Sequence, residues 1–199
     1  MSGEPLQASL DRKEKIMYIV AGCNGAGKTT AFKQSLHEIL GAPSFINPDA
    51  IAAGLKYSSI QLAQRIAARI TLEQIHAFLS GDESFCVETT LASRIYQSHI
   101  REAHKNGFKV ALFYYWLNSP DLAVARVGQR VSEGGHDIPE ETIRKRYLKS
   151  VKYLSQLYLP KVDYWKIVDN SGFQPKEIAA SATVVKDRAL FNQVMAWKK

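Results

Sequence analysis

Apolar and polar positions along this chain switch between two rhythms, one of strands and one of helices. Ile16-Met17-Tyr18-Ile19-Val20-Ala21 is an unbroken apolar run of strand length. Thr29 to Leu40 reads as a helix, and Ser44-Phe45-Ile46-Asn47 as a short strand ending at Pro48. From about Ser59 to Ser80 the pattern takes the helical period. Leu62, Ala63, Ile66, Ala67, Ile70, Ala77 and Phe78 share one side, and Gln61, Gln64, Arg65, Arg69 and His76 the other. Leu72, Ile75 and Leu79 spill onto the polar side, which predicts fuller burial for the second half; Gly81 stops the helix. A third strand covers Ser84 to Val87, and a helix runs from about Ser93 to Lys105. Lys109 to Leu117 is nearly all apolar, as expected of a central strand covered on both faces.

Ser119-Pro120-Asp121 then reads as a helix start, with a cap, a first-turn proline and an acid at the positive end. That helix carries Leu122, Val124, Ala125 and Val127 towards Val131. Ser132 to Asp137 is a polar loop with two glycines, and a second helix runs from Pro139-Glu140-Glu141 to about Tyr158. Val162 to Val168 gives a fifth strand. Beyond Pro175 the pattern predicts a short strand near Val184-Val185 and a closing helix over Ala189 to Trp197. Strands alternating with helices predict an α/β fold, a parallel sheet of about five strands with helices on both faces. Residues 14–199 read as one domain, with residues 1–13 loosely attached.

Composition narrows the setting. A chain of 199 residues, 46% hydrophobic and 23% charged, is ordinary for a soluble globular domain. Cys23 and Cys86 both sit in apolar contexts and read as reduced and buried, as in a cytoplasmic protein. No cysteine–histidine spacing suggests a zinc site. The first residues lack the apolar core of a signal peptide, and no apolar run approaches the roughly 18 residues that span a bilayer. The net charge of +7 gathers at Arg144-Lys145-Arg146, Lys149 and Lys152. That is local charge suited to a small polyanion, and it lacks the aromatic platform of single-strand nucleic-acid binders.

The chemistry begins at Gly22-Cys23-Asn24-Gly25-Ala26-Gly27-Lys28-Thr29. This stretch fits the phosphate-binding loop G-x-x-x-x-G-K-[ST] at every constrained position, with a strand before it and a helix after it. Its glycines let successive amides converge on one anion, and the following helix adds its positive end. Lys28 can reach the outer phosphates and the Thr29 hydroxyl a magnesium ion, which implies binding of a nucleoside triphosphate.

Three further signals separate the kinds of protein that carry such a loop. Asn47-Pro48-Asp49 stands at the carboxyl end of the second strand, where open α/β sheets collect ligands. Asp49 there can take a proton from an attacking hydroxyl or help hold magnesium; it can equally be an acid in the first turn of a helix begun by Pro48. Glu88-Thr89-Thr90 follows the third strand and puts a carboxylate and two hydroxyls on the same rim, for a polyhydroxylated substrate or as a buried cap. Arg126, Arg130, Gly134-Gly135-His136, Arg144 and Arg146 suit a small helical lid over about 126–146, closing on a triphosphate. Their alternative is a solvated helical face. At least one of Arg130 and Arg144 reads as catalytic, and spacing does not say which. No DxxG or NKxD arrangement stands where a GTPase needs one. The fourth strand ends without a carboxylate, so a metal would draw on the loop threonine, waters and an acid from another strand, as in small kinases.

Together these residues resemble the zeta-toxin family of phosphate-loop kinases. The resemblance is carried by Gly22 to Thr30, Ile46-Asn47-Pro48-Asp49, Glu88-Thr89-Thr90-Leu91 and Gly134-Gly135-His136-Asp137-Ile138-Pro139, and covers roughly residues 16 to 170. It implies the phosphate-loop NTPase fold of nucleoside monophosphate kinases. It also implies ATP- and Mg²⁺-dependent phosphorylation of a sugar hydroxyl, with UDP-N-acetylglucosamine as the family's well-known acceptor, and kinship with systems that include an antitoxin protein. On that resemblance Asp49 is the general base, and Glu88, Thr89, Thr90 and His136 contact the substrate. Lys28, Arg130 and Arg144 meet the transferring phosphoryl group. Gly22, Cys23, Asn24, Gly25, Ala26, Gly27, Lys28, Thr29, Thr30 and Arg126 hold ATP, and Thr29 the metal. Larger members follow the aspartate with an aromatic and an arginine that help hold substrate; here Ala50-Ile51-Ala52 stands in their place. The competing expectation is a polynucleotide 5′-kinase or RNA-binding ATPase using the Arg144 to Lys152 cluster; a nucleotide-binding module without catalysis is a third.

Overall fold

A computed structural model describes residues 14–41, 43–55, 59–135, 137–181 and 185–196. The expectations for residues 1–13, His136, Val184 and Trp197 lie outside these. Among the described residues six strands form one sheet: β1 (Ile16–Ala21), β2 (Ser44–Ile46), β3 (Phe85–Thr89), β4 (Lys109–Trp116), β5 (Tyr164–Asp169) and β6 (Lys176–Ala180). Their order is β2-β3-β1-β4-β5-β6, parallel throughout except for β6, which pairs antiparallel with β5. The short final strand therefore precedes the place predicted for it near Val184-Val185. β1 and β4 are the most apolar runs and lie at the centre, where Met17, Ile19, Val20, Val110, Leu112 and Trp116 are buried.

The helices follow the predicted sequence with local changes. α1 (Lys28–Ala31) passes through a π-helical turn (Phe32–Leu36) into α2 (His37–Ile39), and Phe32 stacks on Phe45 with ring centroids 3.9 Å apart. α3 (Pro48–Gly54) leaves the end of β2. α4 (Ile60–Leu79) buries Ala63, Ala67, Thr71, Ile75 and Leu79, a stripe spaced four residues apart. Leu62 and Ala77, assigned by periodicity to the apolar side, are exposed, because the buried stripe lies to one side of the predicted one. α5 (Tyr96–Lys105), α6 (Pro120–Ser132), α7 (Glu140–Tyr153) and α8 (Arg188–Met195) complete the set. The Ser119 hydroxyl accepts from the Leu122 amide at 3.1 Å, so the predicted cap starts α6. No helix among the described residues is long and apolar enough to cross a membrane.

Parallel strands bring their carboxyl ends to one rim. Ala21 of β1 lies level with Thr89 of β3 and Tyr114 of β4. α7 is fastened beside this rim by two buried hydrogen bonds, Tyr147 Oη to the Leu117 carbonyl at 2.7 Å and Tyr114 Oη with Ser150 Oγ at 2.9 Å.

Candidate active site

The phosphate loop is held in shape by its own backbone and by the far end of the sheet. Gly27 has φ +77°, in the region that favours glycine, and a Cβ there would stand 2.6 Å from Asn170 Nδ2. Asn170 uses that nitrogen to donate to the Ala26 carbonyl at 2.8 Å. At Gly22 a side chain would strike the Tyr115 carbonyl, so the strand-to-loop exit also needs glycine. Lys28 is buried and donates to the Cys23 carbonyl at 3.0 Å across the loop. The Cys23 side chain is buried too, and burial outweighs the nearby Lys28 and Arg126 charges, pushing its thiol up to about 11.

β3 delivers Glu88 to the middle of this arrangement. One carboxylate oxygen accepts from Thr29 Oγ1 at 2.6 Å and from Asn47 Nδ2 at 3.1 Å; the other lies 3.8 Å from Lys28 Nζ. Glu88, expected from sequence to contact substrate, lines the cleft and also has its oxygens turned to Thr29, Lys28 and Asn47. A hydroxyl and a carboxylate this close form the hard-oxygen donor set that magnesium takes, so Thr29 and Glu88 fit such an ion.

Asn47 performs two tasks. Its Oδ1 accepts from the amides of Asp49 and Ala50 at 2.9 and 3.0 Å, capping α3, while its Nδ2 reaches Glu88. Asp49 thus sits in the first turn of α3 and also lines the cleft, so its place in the helix does not remove it from the site. Beyond Glu88, the Thr89 hydroxyl accepts from the Leu91 amide at 3.1 Å. Leu91 is a non-glycine residue at φ +58°, and such strain collects where a turn must aim side chains. Tyr96 lies beneath this turn and hydrogen-bonds Thr89; burial pushes its phenol up to about 12.

The space between these parts is a cleft of about 530 Å³. Lys28, Asp49, Glu88, Thr89 and Thr90 line one side, and Thr142, Lys145, Arg146 and Lys149 the other. The latter four recur at the helical period on α7, while Ile143, Tyr147, Ser150 and Val151 face the core. Arg146 Nη1 also reaches Asn24 Oδ1 of the phosphate loop at 3.4 Å. Arg144 does not come to the cleft. It is half-exposed and paired with Asp121 at 2.7 Å and Glu140 at 2.7 Å, joining α7 to the start of α6. Arg126 donates to the Ser171 carbonyl at 3.1 Å and its Cβ approaches Gly25, which places it beside the loop. Arg130 packs its stem against Gly135, whose amide donates to the Arg130 carbonyl at 2.9 Å.

Of the residues expected from sequence, the structure gathers the loop, Asp49, Glu88, Thr89 and Thr90 around one space. It separates Arg144 from them. Asn170, Lys145 and Lys149 were not singled out as site residues. The polar Asp169-Asn170-Ser171 run at the carboxyl end of a strand was the available signal for the first, and the period of α7 for the others.

A mostly parallel sheet with a phosphate loop at the rim beside its central strand, under a cationic helix, defines a protein of the phosphate-loop kinase class. Comparison with known proteins carries this further. The zeta toxin family model matches residues 4–174, and the chain belongs to that family. An uncharacterized protein of Haemophilus influenzae is 32% identical over 128 residues, covering 63% of this chain and 88% of the relative. A crystal structure of AvrRxo1-ORF1:-ORF2 with ATP contains a chain with TM-score 0.76 and 14% identity, covering 96% of this chain; this chain spans 66% of that one's length. The PezAT chromosomal toxin-antitoxin system of Streptococcus pneumoniae gives TM-score 0.67 at 18% identity, over 90% of this chain and 77% of that one. At such identities the structures establish a shared fold.

Proposed function

We propose that the protein is an ATP-dependent kinase that phosphorylates a hydroxyl of a small anionic acceptor, of the nucleotide-sugar kind that UDP-N-acetylglucosamine represents. The observation carrying this reading is the cleft itself, with the phosphate loop and Asp49 on one side and a stripe of three cations on the other. Its volume is that of a small-molecule site. A polymer track would need charge continuing beyond it, whereas Arg144, next in the cluster, is occupied by Asp121 and Glu140.

In this reading the loop amides and Lys28 hold the outer phosphates, and Arg126 with the Asn170–Ser171 turn borders the nucleotide. Thr29 and Glu88 would hold magnesium, which would neutralise charge on the phosphates. Asp49 accepts the proton of the acceptor hydroxyl as its oxygen bonds to the γ-phosphorus. The bond from that phosphorus to the β-phosphate oxygen breaks, and ADP departs. Thr89 and Thr90 orient acceptor hydroxyls, and Lys145 and Lys149 meet its diphosphate. Arg146 follows charge on the transferring group, the role the sequence offered to Arg130 or Arg144. The α6–α7 arm is then the lid. Family membership supports a neutralising protein partner, and the PezAT neighbour is named for such a system.

The test is transfer of labelled phosphate from ATP to nucleotide sugars, nucleosides and oligonucleotides. A nucleotide sugar is expected to be labelled, and Asp49→Ala to lose about 10²–10⁴-fold in rate while ATP binding persists. Labelling of oligonucleotides alone, or wild-type turnover by Asp49→Ala, overturns the reading.

A further inference from the structure

Outside the nucleotide cleft, α4 and α5 bring together His76, His99 and Glu102. Glu102 follows His99 by three residues and so shares its helix face, and His76 arrives from the last turn of α4. One donor atom from each of the three lies within 4.8 Å of the others. His76 Nδ1 stands 3.0 Å from one Glu102 oxygen, and His99 Nδ1 3.9 Å from the other.

His99 makes this more than an exposed ion pair. It is 3% exposed, and among the described residues neither of its ring nitrogens has a hydrogen-bond partner. Buried polar groups rarely lack partners, and the His76–Glu102 contact does nothing for this one. The rings of His76 and Tyr96 meet His99 edge-on at 5.4 and 5.8 Å, leaving Glu102 as the polar group before it. His76 is exposed, which leaves an entry path from solvent.

We propose that His76, His99 and Glu102 bind a divalent transition-metal ion of the zinc class, which ties α4 to α5. Two imidazoles and one carboxylate are a recognised zinc set, with water completing the tetrahedron. Magnesium and calcium select oxygen ligands and are poorly served here. Ligands must close to about 2.0–2.2 Å from a common centre, and donor atoms already this close reach it by side-chain rotation. Tyr96, one turn before His99, lines the nucleotide cleft, so the ion also steadies that end of α5.

The test uses the untagged full chain, stripped of metal and titrated with Zn²⁺ against a chromophoric chelator, without nucleotide. One equivalent is expected to bind, Co²⁺ to give the absorption of a tetrahedral site, and Zn²⁺ to raise the thermal midpoint. His76→Ala and Glu102→Gln each weaken binding by about tenfold or more. His104→Ala, whose histidine pairs with Asp163, and Thr29→Ala, in the phosphate loop, leave it unchanged. If His99→Ala does not fold, His76→Ala and Glu102→Gln decide. No stoichiometric binding, or equal affinity in both of those variants, overturns the proposal.

Discussion

The two sides of the cleft are built differently. One side is strand ends, loop backbone and buried polar groups: Glu88, Asn47 and Lys28 are all less than a tenth exposed, and Glu88 joins the other two by a hydrogen bond and an ion pair. The other is a helix whose core-facing side is bolted to β4 while its cations reach into the cleft on flexible stems. Hydrogen bonds fixed before a ligand arrives cost no ordering when it binds; long side chains lose rotamer freedom at that moment. On the proposed function, the rigid side suits the invariant partner, a triphosphate with its metal. The adaptable side suits the acceptor and the charge that moves during transfer.

Four substitutions break or sharpen this contrast. On the rigid side, Glu88→Gln is expected to raise the Mg²⁺ concentration needed for turnover by about 10- to 100-fold. An unchanged magnesium dependence would return Glu88 to the acceptor. On the adaptable side, Arg146→Ala is expected to lower kcat/KM by about 10- to 100-fold, the worth of a charged hydrogen bond at 1.5–3 kcal/mol. Arg144→Ala should leave turnover alone and lower only the melting temperature, since its partners are Asp121 and Glu140. Reversal of that pair of results would exchange their roles. Asn170→Ala removes one neutral hydrogen bond from the loop and should weaken ATP binding about fivefold, near 1 kcal/mol, in a calorimetric titration.

The smallest effect concerns pH. Burial holds the Cys23 proton more tightly in the folded chain, from an ordinary value of 9.0 up to about 11. The stability linked to it is complete below pH 9 and is lost as pH rises through about 11. Cys23→Ala should flatten that alkaline limb in denaturant titrations. An identical slope would mean that water reaches the thiol.

The sheet was legible because its strands announce themselves. β1 and β4 are apolar without interruption, and the phosphate loop is written in consecutive residues. β6 was not, since Lys-Glu-Ile-Ala-Ala has neither alternation nor a β-branched run, and the nearby valine pair drew the assignment instead. Glu88 illustrates a second limit. Its position at a strand end follows from sequence, but its partners belong to β1's loop and β2's end, whose order in the sheet does not. The arginines show a third. Residues 144 and 146 stand about 200° apart on a helix, so both could not face one cleft. Which flank does so depends on how Tyr147 and Ser150 seat α7 against the sheet.

The latch between Asn170 and the Ala26 carbonyl joins positions 144 residues apart in the chain. A ribosome makes the glycine-rich segment early and its fastener late. A nascent chain halted before β5 carries the whole nucleotide motif yet lacks this hydrogen bond, so the loop gains its last fastening only near the end of translation.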